Sequence, residues 1–216
     1  MTPNEESKAV KKIANAILPN LVNSLYNDGI INDLDLNNQT LLFNKIEKYL
    51  TKNKLDFQIV IDHRETILRV AEQEFKNGNQ DFATALFVTS IEHTLNRLID
   101  LACDNKKIDK KTASEIIKSV NISGKSSWLL KLLGLPEFNS GHQKFLIEIS
   151  AERNSYIHYK WKPDSYSGKV PDSGSKSLKR EEKNIKIKKL IKYLKNYEAR
   201  CEYNGNKKRI QKAVKK

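Results

Sequence analysis

The sequence predicts an all-α fold, an up-and-down bundle of helices, on three observations. Apolar residues recur at spacings of three and four along most of the chain, which is the period of a helix with one buried face. No stretch alternates apolar and polar residues for long enough to build a sheet. With 8 Gly and 5 Pro in 216 residues, the breaks are few and most of them fall between the periodic segments.

Residues 5–28 predict one or two helices interrupted at Pro19, because a proline ring removes a backbone donor. Residues 40–52 predict another through Leu41, Leu42, Ile46, Tyr49 and Leu50, so residues 1–55 form an N-terminal helical extension. A second set spans 56–76, stopped at Asn77-Gly78, then 80–104 and 110–119. It continues with 123–133, capped by Ser123 and stopped by Gly134 and Pro136, and with 140 to about 161. The helix from Gln80 is apolar nearly all round over residues 82–91 and should be the most buried, which makes Glu92 stand out. Residues 162–179 are rich in Gly, Pro and Ser and read as a long flexible loop. A closing helix over 181–203 carries Ile187, Leu190, Ile191, Leu194, Tyr197 and Cys201 on one stripe and lysines on the other face. Residues 56–203 therefore make the bundle. Residues 204–216 hold six Lys/Arg and little to bury, and are expected to be a disordered basic tail.

The net charge is +13, and it is segregated. Residues 1–175 carry 23 Lys+Arg against 22 Asp+Glu, whereas residues 176–216 carry 16 against 4. A general lysine bias (32 Lys to 7 Arg) does not place the excess at one end, so a polyanionic partner is expected, nucleic acid before membrane. The longest apolar run is far short of the roughly 20 residues of a bilayer span, and the first residues are polar, so a soluble cytoplasmic protein is expected. Cys103 and Cys201 form no CxxC pair and have no histidine at ligand spacing. That speaks against a disulfide scaffold or zinc finger, and no metal or other cofactor is expected.

Ser123-Gly124-Lys125-Ser126 resembles the end of a phosphate-cradling loop. The leading glycine is missing, however, since Ser119 stands five before Gly124, and no strand precedes the segment. The segment that matters is 151–161. Its helix runs an apolar stripe through Leu146 and Ile149 that continues onto Arg153 and then Tyr156 and Ile157. A guanidinium on the core side must face a carboxylate, another subunit or an anionic ligand. Asn154 and His158, four apart, share the adjoining strip, while Arg153 and His158 subtend about 140° at about 100° per residue.

At these residues the chain resembles the HEPN (higher eukaryotes and prokaryotes nucleotide-binding) superfamily, whose ribonucleases carry an arginine, four to six residues, and a histidine. Here they are Arg153 and His158 with four residues between them, and Asn154 is the frequent polar residue after the arginine. With 7 Arg, 21 Asn and 4 His in 216 positions, Arg-Asn and a histidine at this gap arise by chance about 0.01 times. The resemblance covers about residues 56–203. Some family members carry Tyr two residues after the histidine, where this chain has Lys160.

The resemblance implies metal-independent RNA cleavage by a homodimer in which two copies of the motif face each other. The RNA 2′-OH is already beside its phosphorus, so only proton transfer and charge stabilisation are needed. His158 would be the general base or acid, Arg153 would bind the nonbridging oxygens, and Asn154 would orient phosphate or imidazole. The products would be a 2′,3′-cyclic phosphate and a 5′-OH. Glu92 is a supporting candidate that could hold Arg153 in position; Tyr156, Tyr159 and Trp161 could stack on bases or pack at a dimer interface. Lys160, Lys207, Lys208 and Arg209 are candidate RNA contacts. His93 and Arg97 read as a helix-surface pair, and His63 and His142 as surface or packing residues. A prokaryotic toxin or phage-defence setting, with an antitoxin or complex partner, follows from the resemblance alone. The rival is a non-catalytic module that binds nucleotide or RNA, or serves as a scaffold in a larger defence complex. A basic DNA-binding protein is weaker, because no helix-turn-helix signature is present.

Overall fold

The computed structural model describes residues 17–53, 62–158 and 180–215, and among them every regular element is an α-helix. They are α1 (residues 17–27), α2 (Asp33–Asn37), α3 (Gln39–Lys52), α4 (Arg64–Lys76) and α5 (Gln80–Asn105), followed by α6 (Lys110–Ser119) and α7 (Ile122–Lys125). Then come α8 (Trp128–Leu132), α9 (Ser140–Ile157), α10 (Arg180–Glu202) and α11 (Lys207–Val214). No helix of the described residues is long and apolar enough to cross a membrane. The chain divides into two compact units, Ile61–Cys201 and Met1–Val60 with Glu202–Lys216.

The 61–201 unit is a bundle built around α5. Its apolar circumference buries Phe87, Val88, Ile91, Leu95, Leu98 and Ile99 almost completely, and α4, α6, α7 and α9 all pack on it. Helices α4 and α5 form a hairpin through Asn77-Gly78, where Gly78 takes φ +93°, a conformation that costs a residue with a Cβ dearly. Helix α4 starts at Arg64 rather than in the 50s, with Asp62 and His63 outside it; residues 54–61 lie outside the described residues. Helix α10 runs antiparallel to α9. Tyr193 of α10 accepts a hydrogen bond from the backbone N–H of Asn139 before α9, and Lys183 pairs with Glu152 near its other end. His142 packs its ring on Tyr193 (centroids 4.5 Å apart), and burial lowers its pKa.

Three expectations need correction. The single helix over 123–133 is two short ones, α7 and α8, separated by Ser126 and Ser127, and its cap is Asn121, whose Oδ1 accepts from Gly124 N at 2.9 Å, not Ser123. The interruption at Pro19 is not found, since residues 17–27 are helical through it. The disordered tail is the largest difference, because α11 folds with the N-terminal helices. Ile210 and Ala213 lie on one face of α11 and are buried among Val22, Leu25, Leu36, Leu42 and Ile46, with Val214 packed beside them. Tyr203 adds a hydrogen bond to Asn20 at 2.6 Å. Too few apolar residues to fold alone are enough when a second apolar surface meets them. The N-terminal extension and the basic segment are thus one unit rather than two appendages.

Candidate functional site

Helix α9 places Arg153 where the stripe predicted it, one turn beyond the buried Leu146, Ile149 and Ser150. The carboxylate it needs is Glu92 of α5: Arg153 Nη1 donates to Glu92 Oε2 at 3.0 Å. Arg153 Nε donates to Asn154 Oδ1 at 3.2 Å. Among the described residues nothing accepts from Nη2, so one edge of the guanidinium stays available while the side chain as a whole is 19% exposed.

Glu92 also holds a second cation. Lys125 Nζ donates to Glu92 Oε1 at 3.2 Å, from a lysine only 3% exposed. Burial opposes ionisation of Glu92, but the hydrogen bonds and charges of Lys125 and Arg153 outweigh it and hold its pKa below the ordinary carboxylate value. Sequence reasoning missed Lys125, because a one-turn helix leaves no periodicity to read. A usable signal was Glu92 itself, a carboxylate directly after the apolar run of residues 82–91 in the most buried helix, which required compensating cations.

The Ser123–Ser126 segment is explained by this packing. A Cβ on Gly124 would stand 2.6 Å from Val120 Cγ1 and 3.0 Å from Trp128 Nε1, so the glycine permits close approach. Ser126 is fully buried, and its carbonyl accepts from Gln143 Nε2 of α9 at 3.1 Å. The segment ties α7 to α9 and delivers Lys125 to Glu92.

His158 is the C-cap of α9, exposed, its backbone N–H donating to Asn154 O at 3.0 Å. The structure thus joins Arg153, Asn154 and Glu92, and among the described residues the His158 side chain hydrogen-bonds to none of them. Tyr156 is 44% exposed and lines a groove with Phe82 at the start of α5, itself 43% exposed, and Ile157 is 52% exposed beside it. Tyr159, Lys160, Trp161 and the 162–179 loop lie outside the described residues.

Of the basic candidates, Lys207, Lys208 and Arg209 lie on α11 in the other unit. There Lys207 sits 5.7 Å from the centre of the Tyr203 ring and Arg209 pairs with Asp33 at 2.9 Å. In the unit of Arg153, the outward face of α10 exposes Lys188, Lys189 and Lys192.

A second carboxylate of this unit also bridges two cations. Glu198 of α10 accepts from Arg64 at 2.9 Å and from Arg97 at 2.7 Å, and Asp62 adds a second carboxylate on Arg64. Arg97 thus has an acidic partner that its spacing from His93 did not reveal. Compared with family models, curated proteins and solved structures, the chain matches none.

Proposed function

We propose that the protein is a metal-independent endoribonuclease of HEPN type. The observation that carries this reading is the Arg153 guanidinium, held through Nε by Asn154 and through Nη1 by Glu92, with Nη2 unpartnered among the described residues, five positions before an exposed histidine. That nitrogen can donate to a nonbridging oxygen of a phosphodiester as charge accumulates on phosphorus. The His158 imidazole takes the 2′-OH proton as the oxygen attacks phosphorus. The 5′ oxygen leaves and is protonated, giving a 2′,3′-cyclic phosphate and a 5′-OH.

A second copy of the chain supplies the facing motif. Support comes from the exposed apolar Tyr156, Ile157 and Phe82 beside the site, surface that a twofold contact would cover. The reading extends to a cytoplasmic toxin or defence effector held in check by a partner protein. The alternative, RNA or nucleotide binding without cleavage, is favoured by one observation: among the described residues the His158 side chain has no hydrogen-bond partner to orient it.

Incubating the purified protein with total RNA in EDTA, followed by end-group analysis, separates the two. Cleavage should persist in chelator and fall on the order of a hundredfold in Arg153→Ala and in His158→Ala. Undiminished cutting in both variants would sink the mechanism, and binding without cutting selects the alternative.

A further inference from the structure

We infer that Lys125 is a positioning residue that sets the charge of the Arg153 site, making it a receptor for a phosphodiester anion. The inference rests on the ribonuclease reading only for the identity of that anion.

A lysine 3% exposed has surrendered its hydration, and a buried ion pair seldom returns in attraction what desolvation takes. An apolar side chain of similar length would fill the same space. Glu92 alone would suffice to hold Arg153, and a simple pair of the two would be neutral. Adding Lys125 on the other carboxylate oxygen leaves two cations on one anion, a net charge of +1. Lys125 is sealed from solvent, whereas Arg153 is 19% exposed with no acceptor on Nη2 among the described residues, so the surplus is presented at Arg153. No other described carboxylate pairs with either cation. Through a partly desolvated path this surplus is weakly screened. Lys125 also restrains Glu92 from the side opposite Arg153, fixing the carboxylate that aims the guanidinium.

Charge and position are separable by variants. In Lys125→Met the stem is retained but the cluster becomes neutral. In Lys125→Arg the charge returns. In Lys125→Met/Glu92→Gln the net charge is again +1 on Arg153, but its tether is gone. The probe is a fluorescent 2′-O-methyl RNA oligonucleotide, which lacks the attacking hydroxyl, titrated at fixed salt, with thermal melts confirming that each variant is folded.

Lys125→Met should bind about tenfold more weakly, Lys125→Arg near the wild-type level, and the double variant should regain most of the loss. A purely structural role would not produce recovery in the double variant. Equal binding by wild type and Lys125→Met, loss in the double variant as deep as in the single one, or no binding by the wild type at micromolar concentration would each overturn the inference. If the weakening is found but the wild type cuts no RNA, the anion site stands and the ribonuclease reading falls.

Discussion

Two carboxylates of the 61–201 unit each bridge two cations, yet their surroundings differ. Glu198 joins Arg64 and Arg97, and with Asp62 the described residues of this cluster hold two positive and two negative groups. Glu92 joins Lys125 and Arg153 with no second acid among the described residues, leaving one positive charge over. The balanced cluster ties α4, α5 and α10 together and asks nothing further of its environment. The unbalanced one lies deeper on its Lys125 side and opens toward an anion on its Arg153 side. An ion pair is thus more informative when its charges fail to cancel than when they do.

The strongest way to break this contrast is to remove each bridging carboxylate in turn. Glu92→Gln strands a buried lysine and should destabilise the protein by about 3–5 kcal/mol. Glu198→Gln should cost less, about 1–3 kcal/mol, because Arg64 keeps Asp62. Chemical denaturation of both variants measures the difference, and equal losses would erase the distinction.

A second change tests whether the glycine next to Lys125 serves packing. Gly124→Ala places a methyl against Val120 and Trp128 and should cost about 1–3 kcal/mol. An unaffected melt would mean that the one-turn helix carrying Lys125 is loosely held.

The smallest effect is in acid. Hydrogen bonds from Arg64 hold the Asp62 carboxyl at about 2, below its ordinary 3.8. Because the folded value is lowered, its contribution is complete above about pH 3.8 and is lost as pH falls toward 2. Asp62→Asn should flatten the decline of stability across that window, followed by circular dichroism. The same slope in both proteins would remove Asp62 from the balanced cluster.

Much of this was readable from the chain. Helices α5 and α6 follow the expected spans because long periodic stretches are bounded by Asn77-Gly78 and by Asp109, whose side chain accepts from Lys111 and Thr112. Arg153 on the core stripe called for a carboxylate, another subunit or an anionic ligand, and Glu92, the charge that ends the apolar run of α5, is the carboxylate it meets. Lys125 was not readable, because its one-turn helix has no period and the only motif around it, a phosphate loop, is incomplete. The helix α2 is five residues long and rests on a capping box between Asn32 and Asp35, a local signal too short to register as periodicity. The fold of α11 depends on apolar surface contributed by residues far away in the chain, which composition within 204–216 does not contain.

That last helix has a consequence for the order in which the molecule assembles. Residues 17–53 and α11 share one hydrophobic core, yet the whole of the other unit is threaded between them in sequence. At a synthesis rate of about 5–20 residues per second, the ribosome needs on the order of ten seconds to travel from the end of α3 to α11. Through that interval the bundle around α5 completes a contiguous unit, while Val22, Leu25 and Leu42 wait without Ile210. Of the two contributors to this core the first made is the last to be sealed, and until α11 emerges its apolar face lacks the cover that Ile210 and Ala213 provide.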